Sequence, residues 1–282
     1  MAMRLLHGHE ATGLIFMLDI KKHHQEASSR IIIKKGGSEN MKIAILQTGK
    51  TNPLMPDKFQ DYPALFTDMF ANDPRTAKHS FAAVPVVDGE MPASVDEYDA
   101  YIITGSRHGV YDDLPWIAPL MAFIRTAHDA DIPLIGVCFG HQIIAHALGG
   151  HAAKSDRGWG LGVCEVGLHD HPHWMPAHDS IRLIHIHQDQ VETLPPGAQL
   201  IGSNGFCPHA VFVIGDNVLC VQGHPEFTID YIDSLMEVRA DLFDPETLHG
   251  AQATLDHGHD GKRFASWMLS FLEGHQHRRA AA

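Results

Sequence analysis

Short apolar runs alternate with longer amphipathic stretches along most of this chain. An apolar run of about four to eight residues is typical of a buried strand, whereas apolar positions recurring every three or four residues indicate a helix. The runs predict strands at residues 42–47, 81–87, 100–104, 132–137, 162–166, 181–186, 210–214 and 218–221. The amphipathic stretches predict helices at residues 58–72, 116–128, 141–148, 229–242 and 262–273.

The order of these elements predicts an α/β fold. Strands and helices alternate over the first half in an order typical of an open, mainly parallel sheet with helices on both faces. After Gly150 several short strands follow one another without helices. We expect a small antiparallel extension there, which returns the chain to the main sheet.

The two ends of the chain differ from this pattern. Residues 1–40 contain histidine and lysine pairs but no clear period, so we expect an N-terminal extension that is mostly disordered. A buried strand begins directly after Met41, and we assign the domain to residues 41–274. We expect the polar tail, residues 275–282, to be frayed. The longest early apolar run, residues 13–18, is far too short to span a membrane.

Composition and charge narrow the class of protein. Of the 282 residues, 44% are apolar and 20% are charged, which is ordinary for a globular enzyme. A net charge of −13 with neutral histidines argues against binding to nucleic acid or to an anionic membrane. The four cysteines show no CxxC spacing and indicate reduced thiols, so we expect a cytoplasmic location.

The 23 histidines raise the question of a metal site. Histidines alternate at positions 169, 171 and 173, at 185 and 187, and at 257 and 259, and such pairs on a strand could share a face and bind zinc. No thiol or carboxylate lies at finger-like spacing from them. We interpret them as a histidine-rich surface and expect neither a metal nor another cofactor.

An apolar run that ends in Gly-x-Cys-x-Gly, with Cys138 at its centre, has the pattern of a nucleophile elbow. Gly136 and Gly140 leave room for a strained turn between strand and helix, which lifts the thiol above the sheet edge. The N-terminus of the following helix stabilises a thiolate and supplies N–H groups for an oxyanion. A buried core cysteine is the alternative, but the elbow context favours a catalytic nucleophile.

A second apolar run leads into His224-Pro225-Glu226. In an extended segment residues i and i+2 point the same way, so Glu226 can reach one nitrogen of His224 while the other faces Cys138. Nucleophile, base and orienting carboxylate are then all present, in the chain order Cys, His, Glu. Taken alone, the second motif would be an ordinary solvated His and Glu.

Together the two motifs resemble those of the class I (triad) glutamine amidotransferases, most closely the glutaminase domain of GMP synthetase and stand-alone gamma-glutamyl peptidases. The resemblance covers residues 41–272, with weaker matches at residues 186–191 and 207–210. It implies a flavodoxin-like fold in which Cys138 attacks the side-chain amide of glutamine, His224 moves the proton and Glu226 orients His224. It also implies that the Phe139 N–H is one oxyanion donor and that Gln142 helps to hold the substrate.

The loop after the strand at residues 100–104 departs from the family pattern. The family usually has Ser-Gly-Gly-Pro there, whereas this chain keeps only one of the two glycines, Gly105, and has Arg107 in place of the proline. The Ser106 N–H can still serve as the second oxyanion donor. Arg107 is either a solvated loop cation or a contact for a ligand carboxylate, which a planar guanidinium favours.

The resemblance implies a cysteine hydrolase that cleaves a gamma-glutamyl amide, with glutamine as the default small-molecule substrate. The sequence contains no P-loop or other ATP signature. We therefore expect either a separate synthetase subunit that receives the ammonia, or a protein that acts alone on a gamma-glutamyl compound. A non-catalytic regulator with a relict site is a third hypothesis, against which the intact Cys138, His224 and Glu226 argue.

Overall fold

The computed structural model describes residues 40–281. Its strands are β1 (Lys42–Leu46), β2 (Ser80–Val84), β3 (Ala100–Ile103), β4 (Leu134–Val137), β5 (His151–Lys154), β6 (Gly160–Leu168), β7 (Ser180–His187), β8 (Asp189–Thr193), β9 (Ala198–Ser203), β10 (Val211–Ile214) and β11 (Val218–Val221). Its helices are α1 (Tyr62–Phe70), α2 (Ile117–Asp129), α3 (Phe139–Ala147), α4 (Ile229–Val238), α5 (Pro245–Ala253) and α6 (Gly261–Ala281).

A nine-stranded sheet forms the centre of the molecule, with the strands in the order β2-β1-β3-β4-β11-β10-β9-β6-β7. The first five are parallel neighbours, and β10, β9, β6 and β7 continue the sheet with antiparallel pairings. Strands β5 and β8 form a separate antiparallel pair. The sequence-based prediction of a mainly parallel α/β sheet with a small antiparallel extension is confirmed.

Both faces of the sheet are buried under helices. Along β1, Ile43 and Ile45 belong to one apolar cluster and Ala44 and Leu46 to another, because successive side chains of a strand point to opposite faces. Helices α1 and α6 contribute to the first cluster, and α2 and α3 to the second. Strand β4 is buried along its whole length, and the helix that follows it starts without an intervening loop.

The sequence pattern does not predict β5, β8, β9 and α5. In β5 and β8 buried and exposed positions do not alternate regularly, so neither strand shows a period of two. Helix α5 has one buried residue, Ala251, which is too thin an apolar stripe to indicate a helix.

The tail also differs from its prediction. Helix α6 continues to Ala281, so the prediction of a frayed tail was wrong for residues 275–281. Tertiary contacts explain the difference: His275 is buried and lies 3.2 Å from Asp131, and Arg278 forms an ion pair of 3.3 Å with Asp216. Such contacts stabilise a helix end whose local sequence does not.

Two further predictions concern the N-terminal extension and the membrane. The proposed N-terminal extension, residues 1–40, lies outside the described residues except for Asn40. Within the part of the chain that the structure describes, no helix combines the length and the apolar character needed to cross a bilayer.

Candidate active site

A strained turn joins β4 to α3, and Cys138 is the residue at its apex. Its φ of 54° and ψ of −104° lie in a region that residues other than glycine rarely adopt. A Cβ on Gly140 would come within 2.1 Å of the Ile103 carbonyl oxygen, and one on Gly136 within 2.5 Å of the Gly140 carbonyl oxygen. The elbow therefore packs so tightly against main-chain atoms that only glycine fits on either side of the cysteine.

The second motif lies next to this turn because β11 pairs with β4. The Cys138 N–H donates to the Val221 carbonyl at 2.9 Å, so the two strand ends meet. Three residues further on, the His224 N–H donates to the Ile184 carbonyl at 2.7 Å, which fixes the backbone of the histidine. The His224 Nδ1 lies 2.7 Å from the Glu226 Oε1, and both side chains are buried. Cys138, His224 and Glu226 are thus brought together.

The electrostatics of His224 follow from these neighbours. Burial by itself lowers the pKa of His224, but the charges of Glu226 and of the Cys138 thiolate raise it, with a net increase to about 10. The ring of Phe227 stacks on the imidazole with centroids 4.0 Å apart and an interplanar angle of 5°. The histidine is therefore held in one orientation and favoured in its charged form.

The loop after β3 lies against the side chains of Cys138 and His224. A Cβ on Gly105 would come within 2.9 Å of the His224 Cε1 and 3.7 Å of the Cys138 Cβ, so this position needs glycine for close approach. Ser106, the next residue, borders the pocket beside the thiol. Phe139 is the first residue of α3, where a backbone N–H has no partner within the helix. Its side chain is buried in the core, so only its backbone can serve the site.

A pocket of about 290 Å³ opens beside the thiol. Its walls include Ser106, Arg107, Cys138, Gln142, His187 and Arg239. The Gln142 side-chain N–H₂ donates to the Asp189 carbonyl at 2.9 Å and to the Gln222 Oε1 at 3.1 Å. Gln142 therefore bounds the pocket and also fixes the start of β8.

The family to which the chain belongs follows from a direct match. The family model described as glutamine amidotransferase class-I covers residues 60–236, more than half of the chain. The chain belongs to this family. The predictions of this family, of its fold and of an enzyme are confirmed.

Individual relatives of this class-I amidotransferase chain are similar at modest identity. Gamma-glutamyl peptidase 4 of Arabidopsis thaliana is 34% identical over 160 residues, which span 54% of this chain and 64% of the relative. The glutamine-hydrolyzing GMP synthase of Thermomicrobium roseum is 28% identical over 188 residues, which span 65% of this chain and 34% of the relative. The chain therefore spans less than two thirds of either relative. A solved glutamine amido transferase from Methylobacillus flagellatus has the same fold, with a TM-score of 0.65 at 21% identity over 84% of this chain and 94% of that one.

A pair of buried histidines on β7 lies behind the pocket of this amidotransferase chain. The His187 Nδ1 lies 3.0 Å from the Asp189 carbonyl, which can only accept, so this nitrogen carries the proton. Its Nε2 then accepts from the His185 Nδ1–H at 3.0 Å. The His185 Nε2 keeps its lone pair and is buried without a partner among the described residues. Burial lowers the pKa of His187 to about 4, in agreement with this neutral pair.

In the sequence, the alternation of His185 and His187 is the signal that points to this pair. The same alternation also favours the interpretation as a histidine-rich surface. Both histidines are buried instead. His187 and Asp189, which belong to the weaker family match at residues 186–191, line the pocket. Among residues 40–281, no group of three or more His, Cys, Asp or Glu side chains is arranged to hold a metal ion.

Arg239 is a pocket residue for which the sequence gives no signal. It follows α4 directly, as the residue that caps the helix end. Its guanidinium lies over the ring of Trp159, 5.5 Å from the centroid, and both side chains border the pocket. Arg107, which the sequence singles out, borders the same pocket from the loop after β3 and is exposed.

Proposed function

We propose that this protein is a cysteine hydrolase that cleaves the gamma-glutamyl amide of glutamine to glutamate and ammonia. The observation that supports it most is the strained, positive-φ turn at Cys138 next to the buried His224–Glu226 pair. A strained backbone at a cysteine beside a charged histidine lowers the stability of the fold, so it is unfavourable for a residue that only fills the core. The same arrangement suits a nucleophile. Membership of the class-I amidotransferase family supports the same assignment.

The first half of the proposed reaction is acyl transfer to the thiol. The Cys138 thiolate attacks the side-chain carbonyl carbon of glutamine, and the carbonyl oxygen becomes an oxyanion held by the Phe139 and Ser106 N–H groups. The C–N bond then breaks as the His224 imidazolium gives its Nε2 proton to the leaving nitrogen, and ammonia departs. A glutamyl thioester on Cys138 remains. One oxyanion donor is worth roughly 3 kcal/mol in such chemistry.

The second half is hydrolysis of the thioester. The His224 Nε2 takes a proton from water, the resulting hydroxide attacks the thioester carbonyl, and the C–S bond breaks to release glutamate and the thiolate. Glu226 accepts the Nδ1–H of His224 throughout, which keeps Nε2 facing the reacting atoms. The four cysteines are free thiols, which fits a reducing compartment such as the cytoplasm.

A second candidate is a stand-alone gamma-glutamyl peptidase, whose leaving group is an amino acid or peptide. It is favoured by the 34% identity to gamma-glutamyl peptidase 4 and by Arg107 at the pocket. Under the first assignment a separate synthetase subunit would receive the ammonia, as the similarity to a GMP synthase suggests. The two candidates share the same chemistry at Cys138 and differ in the group that leaves.

A substrate panel on the purified chain tests the shared chemistry. Release of glutamate, and of ammonia or amino acid, should be measured with glutamine and with gamma-glutamyl peptides. Cys138→Ser should lower kcat by at least about 10³-fold without unfolding the protein, since the nucleophile is lost. Cys164→Ser, at a half-buried thiol outside the pocket, is the matched control and should keep full activity.

Covalent labelling provides an independent measurement of the same assignment. A glutamine-like diazo-ketone should modify Cys138 before Cys164, Cys207 or Cys220, because burial raises the pKa of each of these three thiols. Retention of more than a few per cent of activity in Cys138→Ser, or labelling mainly at another cysteine, would contradict the proposal.

A further inference from the structure

The buried histidine pair on β7 leaves one nitrogen without a partner. His185 is 1% exposed, and its Nε2 makes no hydrogen bond within the described residues. The positions of the protons are set from the other end of the pair, where the Asp189 carbonyl accepts the Nδ1–H of His187. The Nε2 of His187 then accepts the Nδ1–H of His185. The unpartnered nitrogen is therefore an acceptor with a fixed lone pair, and such a group is unfavourable to bury.

This lone pair lies against the segment that carries the proposed base. A Cβ on Gly223, the residue before His224, would come within 3.0 Å of the His185 Nε2. It would also come within 2.7 Å of the Leu183 Cβ. Between these two residues of β7, the Ile184 carbonyl accepts the His224 N–H at 2.7 Å. Glycine at position 223 thus allows β7 to approach closely, and the approach brings the His185 Nε2 next to the residue that precedes His224.

The histidine pair is polarised, with its negative end at the His185 Nε2. Both hydrogen bonds run in one direction, from His185 to His187 and from His187 to the Asp189 carbonyl, so the dipoles of the two rings add. Burial is the main reason that the pKa of His185 is lowered, and the charges of His187 and His224 add to it. The His185 ring therefore stays neutral beside His224, and a dipole whose negative end lies near a cation stabilises that cation.

Other titratable groups around His224 differ in charge. Against the effect of burial, the charges of Glu226 and of the Cys138 thiolate raise the pKa of His224. Arg239, at the end of α4, borders the pocket, and its charge acts on the thiolate. Three neighbours of this region are neutral because burial shifts their pKa values away from the charged form: His141 of α3, Tyr62 of α1 and Tyr231 of α4. The contribution of β7 is the His185 dipole.

We propose that His185 is a positioning residue for the proposed base: the lone pair of its Nε2, held in place through His187, favours the imidazolium form of His224. The inference rests on the proposed hydrolysis at Cys138 and adds a residue to it. His185 touches no substrate and transfers no proton. It assists the two moments at which His224 gains a proton, first from the Cys138 thiol and then from the water that attacks the thioester.

A titration of His224 by NMR tests the proposal without any substrate. In the wild-type protein, long-range 15N–1H spectra should show His185 and His187 as neutral rings with the proton on Nδ1, and His224 should titrate at about pH 10. His185→Leu removes the dipole and should move this titration down by about 0.5–1 pH unit. His185→Gln, whose Oε1 can replace the Nε2 acceptor, should restore at least half of this shift.

His187→Leu tests the chain without changing either His185 or His224. It removes the acceptor of the His185 Nδ1–H, so the proton can move to Nε2 and reverse the dipole. The titration of His224 should then fall by at least as much as in His185→Leu. The long-range spectra report the new position of the proton in the same sample.

Kinetics and stability together separate this role from packing. In His185→Leu the high-pH limb of kcat/KM should move down by the same amount as the NMR titration. The urea midpoint should stay the same or rise, because an unpartnered buried acceptor is removed. The control is His275→Leu, at a buried histidine of α6 that lies 3.2 Å from Asp131. It should lower the urea midpoint and leave the titration of His224 in place.

Two results would overturn the proposal. One is an unchanged titration of His224 in His185→Leu or, if that variant does not fold, in His187→Leu. The other is a proton on the His185 Nε2 of the wild-type protein, since the dipole would then oppose the cation. If the protein hydrolyses neither glutamine nor gamma-glutamyl peptides but the titration moves as expected, the proposed hydrolysis fails and the action of His185 on His224 stands.

Discussion

Three buried histidines lie next to each other in this molecule, and His224 differs from His185 and His187 in protonation. His224 follows β11 and is joined to Ile184 of β7 by an isolated bridge, while His185 and His187 occupy the next positions of β7 on alternate residues. The pKa of His224 is raised to about 10, whereas the pKa of His187 is lowered to about 4 and that of His185 is also lowered.

The comparison shows that a counter-charge, and not burial, decides which histidine is a cation. All three rings are nearly excluded from solvent, and desolvation acts against the charged form in each. His224 has the Glu226 carboxylate at 2.7 Å and the Cys138 thiol beside it. The pair on β7 has only neutral partners, namely each other and a main-chain carbonyl.

Removal of the Glu226 charge should reduce the difference in protonation between His224 and the histidines of β7 more than any other substitution. Glu226→Gln keeps the shape of the side chain but removes its charge, so His224 should become a largely neutral histidine like its neighbours on β7. We expect kcat/KM to fall by about 10²-fold or more, and the high-pH limb of its pH profile to move to lower pH. Steady-state kinetics between pH 6 and about 10 measure both effects.

The control for this variant is Glu237→Gln, which removes an exposed carboxylate on α4. It should leave the pH profile in place. An unchanged high-pH limb in Glu226→Gln would show that Glu226 does not set the protonation of His224.

The neutral His185–His187 pair should make the protein less stable at low pH, whereas the His224–Glu226 pair should make it less stable at high pH. An unfolded histidine titrates near pH 6.5, so the stability that His187 provides by staying neutral is present above this pH and is lost as the pH falls towards 4. The loss for this one group is about 2 kcal/mol between pH 7 and pH 5. The His224–Glu226 pair behaves in the opposite way, because its contribution is present below pH 6.5 and is lost as the pH rises through about 10.

Urea unfolding of His187→Gln at pH 7 and pH 5 tests this sign. The variant should lose about 2 kcal/mol less free energy of unfolding between these two values than the wild-type protein does. His277→Gln, at an exposed histidine of α6, should behave like the wild type. A variant whose acid destabilisation equals that of the wild type would mean that His187 takes up its proton in the folded state.

The smallest effect should come from the ring that stacks on His224. Phe227→Leu removes an aromatic face that favours the imidazolium by about 0.5–1 kcal/mol. We expect kcat to fall by roughly 2–5-fold and the high-pH limb to move down by less than about one pH unit. Phe59→Leu is the matched control, because Phe59 contacts Tyr231 in the same apolar cluster but does not stack on the histidine. Equal effects of the two substitutions would point to packing alone.

Local motifs account for the part of the site that the sequence predicts. Cys138 lies between two glycines within five residues, and His224 and Glu226 are two residues apart, so each geometry is encoded in one short segment. The same locality explains why β11 is predicted with its observed bounds. Strong apolar runs predict the parallel strands for the same reason.

The remainder depends on contacts between distant segments. Arg239 borders the pocket from the end of α4, a helix that packs in one apolar cluster with β6 and β7, and nothing near position 239 in the sequence indicates this. Asp189 accepts a hydrogen bond from Gln142, 47 residues earlier in the chain, because β8 lies against α3. The helical tail is likewise determined by Asp131 and Asp216, which lie far from it in the chain.

The pocket residues come from two kinds of segment, the central strands and the peripheral connections, and this difference bears on how such proteins diverge. Cys138 and His224 follow neighbouring parallel strands at the centre of the sheet, so their spacing is fixed by the sheet itself. Arg107, Trp159 and Arg239 come from peripheral connections and a helix end. A descendant could exchange any of these outer segments without disturbing the central strands. Under the proposed function, new leaving groups would thus be accessible by local sequence change, while the chemistry at Cys138 and His224 would be kept.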